Sequence, residues 1–429
     1  MKSRIAPVAI TVAAVMMALA GCSGGSGDSG GGSDQVTLQF ESWRPEDAAI
    51  WNSKIIPVFE KDNPGIKVQF APTKATEYDA ALKTRLQGGT AGDLITCRSG
   101  ALNRENIEAG FIEPLKGFTG LSNFDDLSLS YWASTNEDPY CVPVASVMAA
   151  FFYNKDIFTE LNLSVPKTNA EYMSVLQAIK SNGKYVPLAF GATPGDAWVL
   201  AYMGLYSEGP NYWHGEEGRQ GLIDGSKKFT DPEFVQALAA LKSWTPFMPD
   251  GRASVTYSDA TQLFALGKAA IFPSGSWDIS AVTGSTGLDV GVFAPPLPKA
   301  GDQLYVQSHP DMGIGINAAS QHKKEAQVFL NWVASPAFQT IYANALPGFF
   351  GMGKEPAKLD NPLAQAWADL KVGAELTPRV EDILSGGNPD FETTIENSLQ
   401  LMMTTDKSPE AVADETQKGL ENWYKPQMK

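Results

Sequence analysis

Val36, Leu38 and Phe40 alternate with polar residues, a period of two that predicts a strand. An amphipathic stretch from Asp47 to Lys61 follows, and Asn63-Pro64-Gly65 stops it. Ile66, Val68 and Phe70 then alternate as a second strand, Tyr78 to Gln87 has helical spacing closed by Gly88-Gly89, and Asp93 to Cys97 is a third apolar run. Strand, helix and strand in this order predict a parallel α/β sheet. The same grammar returns later: Ala269 to Phe272 and Gly313 to Ile316 are short buried-strand patterns. Ala326, Phe329, Leu330 and Val333 stand at i, i+3, i+4 and i+7, one face of a helix over 325–334. Ser408-Pro409-Glu410 opens a last helix with a cap, a first-turn proline and an acidic first turn, and Val412, Leu420 and Trp423 can line its buried side.

The first residues do not belong to this pattern. Lys2 and Arg4 are followed by a charge-free run, Ile5 to Ala20, that ends in small residues, the plan of a secretory signal. The run is too short to span a bilayer comfortably. Ser23 to Asp34 is rich in Gly and Ser and is expected to be a flexible tether. Loss of residues 1–21 would take the formal net charge from −15 to −17. So acidic a chain, without clustered Lys and Arg, is a poor partner for nucleic acid or anionic lipid. Roughly 395 residues remain beyond the tether, which by domain size points to two lobes. Of the three cysteines, Cys97 and Cys141 are either a disulfide or two buried thiols.

Enzyme motifs fail on context. Gly27-Asp28-Ser29-Gly30-Gly31 matches a nucleophile-elbow pattern but lies in the tether, where no strand-turn-helix can strain the serine. Ser164-Val165-Pro166-Lys167 has Ser-x-x-Lys spacing, yet its proline disfavours the helix that would align the two side chains. His214, His309 and His322 are far apart and lack zinc-spaced partners, so no metal is expected, and no phosphate or dinucleotide loop implies a cofactor. Paired carboxylates of a glycoside hydrolase remain open as an alternative, with an adhesin as a third class.

Leu19-Ala20-Gly21-Cys22 resembles a bacterial lipobox, which implies cleavage before Cys22 and lipidation of that residue. Four further segments together resemble the sugar-binding lipoproteins of ABC importers, the group that includes maltose-binding protein. They are Ala91 to Leu115, with Gly92-Asp93-Leu94-Ile95 and Glu108-Ala109-Gly110-Phe111; Phe152-Tyr153-Asn154-Lys155-Asp156 running through Pro166-Lys167-Thr168; Leu266-Gly267-Lys268-Ala269 into Gly275-Ser276-Trp277-Asp278; and Gly313 to Ala318, Ala326 to Ser335 and Leu346-Pro347-Gly348-Phe349. The resemblance implies an α/β, two-lobe periplasmic-binding-protein-like fold of type II with a ligand cleft between the lobes. It implies an N-terminal lobe of 36–147 plus 306–346 and a C-terminal lobe of 148–305 plus 347–429, following a signal of 1–21 and a tether of 22–35. The chain is expected to cross near Ser146 to Tyr153, Pro298 to Gln307 and Leu346 to Phe350. It further implies a monomer held by its lipid on the outer face of the cell membrane, a sugar ligand, and the transmembrane subunits of a permease as partners.

A pyranose has an apolar C–H face and a rim of hydroxyls, so aromatic rings and planar polar groups are the side chains to seek. Trp43 and Arg44 follow the first strand, beyond whose carboxyl end α/β sheets bind ligands. Trp277 and Asp278 match the family position where an aromatic follows Gly-Ser, and Asp196 and Trp198 fall in a loop that contributes to the family's cleft. Arg98 and Ser99 follow the third strand, where maltose-binding protein has an aromatic and an acidic group, a departure that puts maltose itself in doubt. Asp311 precedes the Gly313 strand, and Phe349 follows the last crossing as either a cleft wall or a hinge plug. Any of these tryptophans has core packing as its alternative.

Overall fold

The computed structural model describes residues 35–134, 138–284 and 287–428; the signal segment, Cys22 and the Gly/Ser stretch through Asp34 lie outside them. Within the described residues ten strands follow in chain order: β1 (Val36–Ser42), β2 (Ile66–Pro72), β3 (Leu94–Cys97), β4 (Cys141–Asn154), β5 (Val186–Leu188), β6 (Ala269–Gly275), β7 (Val290–Phe293), β8 (Tyr305–Ile316), β9 (Phe350–Gly351) and β10 (Glu375–Thr377). The sheet order is β2-β1-β3-β8-β4-β6-β5. β1 pairs in parallel with β2 and β3, and Leu38, Phe40, Val68, Phe70, Leu94 and Ile95 of these strands are buried.

Two long strands join the halves of the molecule. β4 pairs first with β8, from Cys141–Gly315 to Met148–Ser308, and then with β6 and β7 through Ala149 to Asn154. β8 begins against β10 at Tyr305–Gln307 and ends against β3 at Gly313–Ile316. β9 lies beside β4 at Ala145 and Ser146. Separate hydrophobic cores flank this ribbon. One gathers Phe40, Trp51, Phe329 and Phe338 around β1–β3; another gathers Phe151, Tyr172, Phe190 and Trp244; a smaller one holds Phe152, Phe264, Phe272 and Trp367. This is the two-lobed α/β architecture.

Local differences from the sequence pattern have simple causes. The helix expected over 47–61 is an α-turn at Ala48–Ile50, a π-type turn at Trp51–Ile55 and a further α-helix at Ile56–Asp62. Pro57 has no N–H to continue the regular ladder. The wide turn still leaves Trp51, Ile55, Ile56 and Phe59 buried. The last helix is Pro409–Glu421, its Ser408 hydroxyl accepting from the Ala411 amide at 3.2 Å. Val412 and Leu420 are buried as expected, whereas Trp423 lies past the helix end and packs half-buried beside Tyr424.

Cys97 at the end of β3 and Cys141 at the start of β4 are joined by a disulfide. The bridge passes over β8, which lies between those two strands. A Cβ on Gly315 would stand 3.0 Å from both sulfurs, tighter than an ordinary contact, so the bridge lies close over this glycine.

Candidate ligand-binding site

The turn after β6 builds a dense polar-aromatic group. Gly275 lets the Trp277 ring lie directly against the backbone, where a Cβ would stand 2.2 Å from ring carbons. Trp277 is only partly buried and packs against both large cores, that of β1–β3 and that around Tyr172. Its Nε1 donates to the Tyr257 hydroxyl at 2.7 Å. Tyr257 in turn donates to the Asp278 carboxylate, which also accepts from Ser274 Oγ at 2.5 Å. Burial pushes the Asp278 carboxyl up to about 6, against the pull of those two hydrogen bonds and of the Arg44 charge.

Trp198 stands edge-on to Tyr257, with ring centroids 5.0 Å apart, and to Tyr202 at 5.9 Å. Asp196 is not a free carboxylate: its Oδ2 accepts from the Tyr257 backbone amide at 2.9 Å and so helps fix the start of the Tyr257–Ala265 helix. Tyr202 donates to Glu392, and the Arg379 guanidinium lies 3.9 Å above its ring. Tyr257 thus ties Asp196, Trp198, Trp277 and Asp278 into one unit.

The other sequence candidates come from the β1–β3 side. Arg44 is held by Asp47 through its Nε at 2.5 Å and spreads over the Phe349 ring at 4.5 Å. Phe349 is only 2% exposed and packs in the core with Tyr342. Trp43 is 4% exposed; Arg98 covers it at 4.4 Å, and Tyr78 meets it edge-on. Neither Trp43 nor Phe349 offers a free ring face in this arrangement. Arg98 is tied to Asp79 at 2.9 Å, and Ser99 Oγ stands 3.5 Å from His309 Nε2. Asp311 is partly exposed and near enough to Asp47 and Tyr342 to act on their charge.

The chain brings the candidates together as three groups: Trp198, Trp277, Asp278 and Asp196 around Tyr257; Arg44 with Phe349; and Trp43 with Arg98 and Ser99. Arg44 links the first two, since its charge acts on Asp278. Sequence pattern alone did not single out Tyr257, Tyr202 or Glu392, whose roles depend on long-range packing. Asp47 had a local signal, its i+3 spacing from Arg44. No cluster of metal-binding side chains occurs among the described residues, and none of their helices is long and apolar enough to cross a membrane.

An open α/β sheet in two halves, bridged by long strands and carrying an aromatic-polar cluster that touches both cores, defines a two-lobed ligand-binding protein. The model of the bacterial extracellular solute-binding proteins matches residues 30–340, and the chain belongs to that family. It is 27% identical over 328 residues to the multiple sugar-binding protein of Streptococcus mutans, covering 72% of this chain and 74% of that one. It is 23% identical to the galactooligosaccharide-binding protein of Bacillus subtilis, covering 95% of each. A solved chitin oligosaccharide binding protein superimposes with a TM-score of 0.77 at 23% identity, covering 91% of this chain and 99% of that one. The family is one of extracellular binding proteins, the relatives are named as binding proteins, and the glycoside hydrolase alternative finds no support among them.

Proposed function

We propose that this chain is the substrate-binding component of an ABC importer, capturing an extracellular oligosaccharide and delivering it unaltered to the permease. One observation carries the reading: Trp277 is a partly exposed ring that touches both cores and is held by the Tyr257 hydroxyl, which Asp278 in turn anchors. A sugar stacked there meets both halves of the molecule at once. Trp277 and Trp198 serve as ring platforms, and Arg44, Arg98, Ser99 and Asp311 meet the hydroxyl rim. Asp278 and Asp196 fix Tyr257, while Trp43 and Phe349 back the two arginines. Relatives whose names specify sugars support the ligand class.

The proposed lobes are 36–147 plus 306–346 and 148–305 plus 347–429; the change of partner along β4 from β8 to β6 after Met148 supports the boundary there, while β8 stays paired with β10 through Gln307. The protein acts as a monomer tethered by lipid on Cys22. A thermal-shift screen over mono- and oligosaccharides tests the function, because a ligand that binds only the native state raises its stability. At least one sugar is expected to raise Tm in proportion to the logarithm of its concentration. No response to any glycan would overturn the sugar assignment.

A further inference from the structure

A cavity of about 620 Å³ lies between the two halves of the molecule and is lined by none of the residues proposed above to meet the sugar or to back those that do. Its floor is the ribbon of crossing strands. Ser146 pairs with Pro310 and Met148 with Ser308, while the intervening pair is Val147 with His309. Successive residues of a strand face opposite ways, so the cavity-lining Ser146, Ser308 and Pro310 share one face of the ribbon. His309 belongs to the other face, where it meets Ser99. The cavity therefore opens behind the ribbon, away from the Ser99 side.

The walls carry more cationic than anionic side chains, although the chain as a whole is acidic. Arg104 stands on one wall, and Arg219 and Lys371 on the other, against a single lining carboxylate, Glu216. That carboxylate is committed, its Oε1 accepting from Arg219 Nη1 at 2.8 Å and Gln220 Nε2 at 2.6 Å. Arg219 Nε donates to the Arg379 carbonyl at 3.0 Å. Lys371 forms no ion pair among the described residues; its ammonium sits 4.8 Å from the centre of the Phe350 ring, and burial lowers its pKa. Arg104 likewise has no side-chain partner among the described residues. Beside these cations the cavity exposes Leu127 on one wall and Leu376 and Ile383 on the other. Two leucines and an isoleucine from both sides of the cavity thus give it an apolar surface beside the cations.

We propose that this cavity is a second ligand site, separate from the sugar cleft, that takes an amphipathic carboxylate. The anionic head lies among Lys371, Arg104 and Arg219, and the apolar body fills the space between Leu127 and the Leu376–Ile383 wall. The site has net positive charge within a chain of formal net charge −15, so attraction for an anion is local to it.

Calorimetric titration of the full chain with octanoate tests the assignment, with octanol supplying the chain without charge and inorganic phosphate the charge without a chain. Octanoate is expected to bind saturably at one site, and both controls at least tenfold more weakly. Lys371→Met and, separately, Arg104→Gln are expected to weaken octanoate at least fivefold without changing the response to sugar. Arg104 is exposed, so its variant reports even if the Lys371 variant folds poorly. Octanol or phosphate binding as tightly as octanoate, or Arg104→Gln binding octanoate like the parent, would overturn the proposal.

Discussion

At the scale of single residues, the proposed site rests on Trp277 and Tyr257. Trp277→Ala is expected to weaken sugar binding at least roughly tenfold, about 1.4 kcal/mol, with little change in fold, because a stacked ring is lost from a partly exposed position. Tyr257→Phe removes the hydroxyl that links Trp277 to Asp278 and is expected to weaken binding severalfold while the far-ultraviolet spectrum stays unchanged. Unchanged sugar affinity in both variants would place these rings in the core instead. A third residue sets a pH dependence. Both carboxylate oxygens of Glu208 are buried without a hydrogen-bond partner among the described residues, and burial raises its pKa to about 8. The unfolded chain ionises this group near 4.5, so the folded state holds the extra proton between those values, and stability is lost as pH rises through about 8. Denaturant melts should show that decline, at most about 5 kcal/mol, and Glu208→Gln should flatten it. An identical pH slope in the variant would contradict this. Of the proposed site, the Trp277-Asp278 turn and the Arg44 position were legible, since both are local motifs. It could not show that Arg98 caps Trp43 or that Asp196 binds the Tyr257 amide, because those partners lie 55 and 61 positions away and meet only in the folded chain.

At the scale of elements, periodicity made the regular parts legible. Ala326, Phe329, Leu330 and Val333 are all fully buried on one helix face, and the parallel pairing of β1 and β2 follows from their alternation. The π-type turn at Trp51–Ile55 was hidden, because a one-residue widening before Pro57 barely disturbs the apolar pattern. The full lengths of β4 and β8 were hidden too. Each is buried along most of its course, and continuous burial erases the alternation that marks a strand. The disulfide staples β3 to β4 across β8 and closes a segment of 44 residues. Removing it with Cys97→Ala and Cys141→Ala together is expected to cost about 4 kcal/mol in the chain-entropy picture, with sugar affinity retained. Peptide mapping without reductant should recover the linked pair. Two freely alkylated thiols in the native protein would contradict it.

At the scale of the whole molecule, a sugar gripped from both lobes must favour the arrangement in which both touch it, since a ligand shifts an equilibrium only through contacts that differ between its states. Hinge closure about the β4–β8 ribbon is therefore expected, and small-angle scattering should show a smaller radius of gyration when sugar is added. The same physics separates capture from catalysis, because a carrier must release what it binds. The most direct test of the central claim joins two readouts on one sample: calorimetric titration with the sugar that most raises Tm, then chromatographic recovery of that sugar. The account predicts saturable binding at one site per chain and recovery of the sugar intact after prolonged incubation. Cleaved product in molar excess over protein, or heats that never saturate with any sugar, would contradict it.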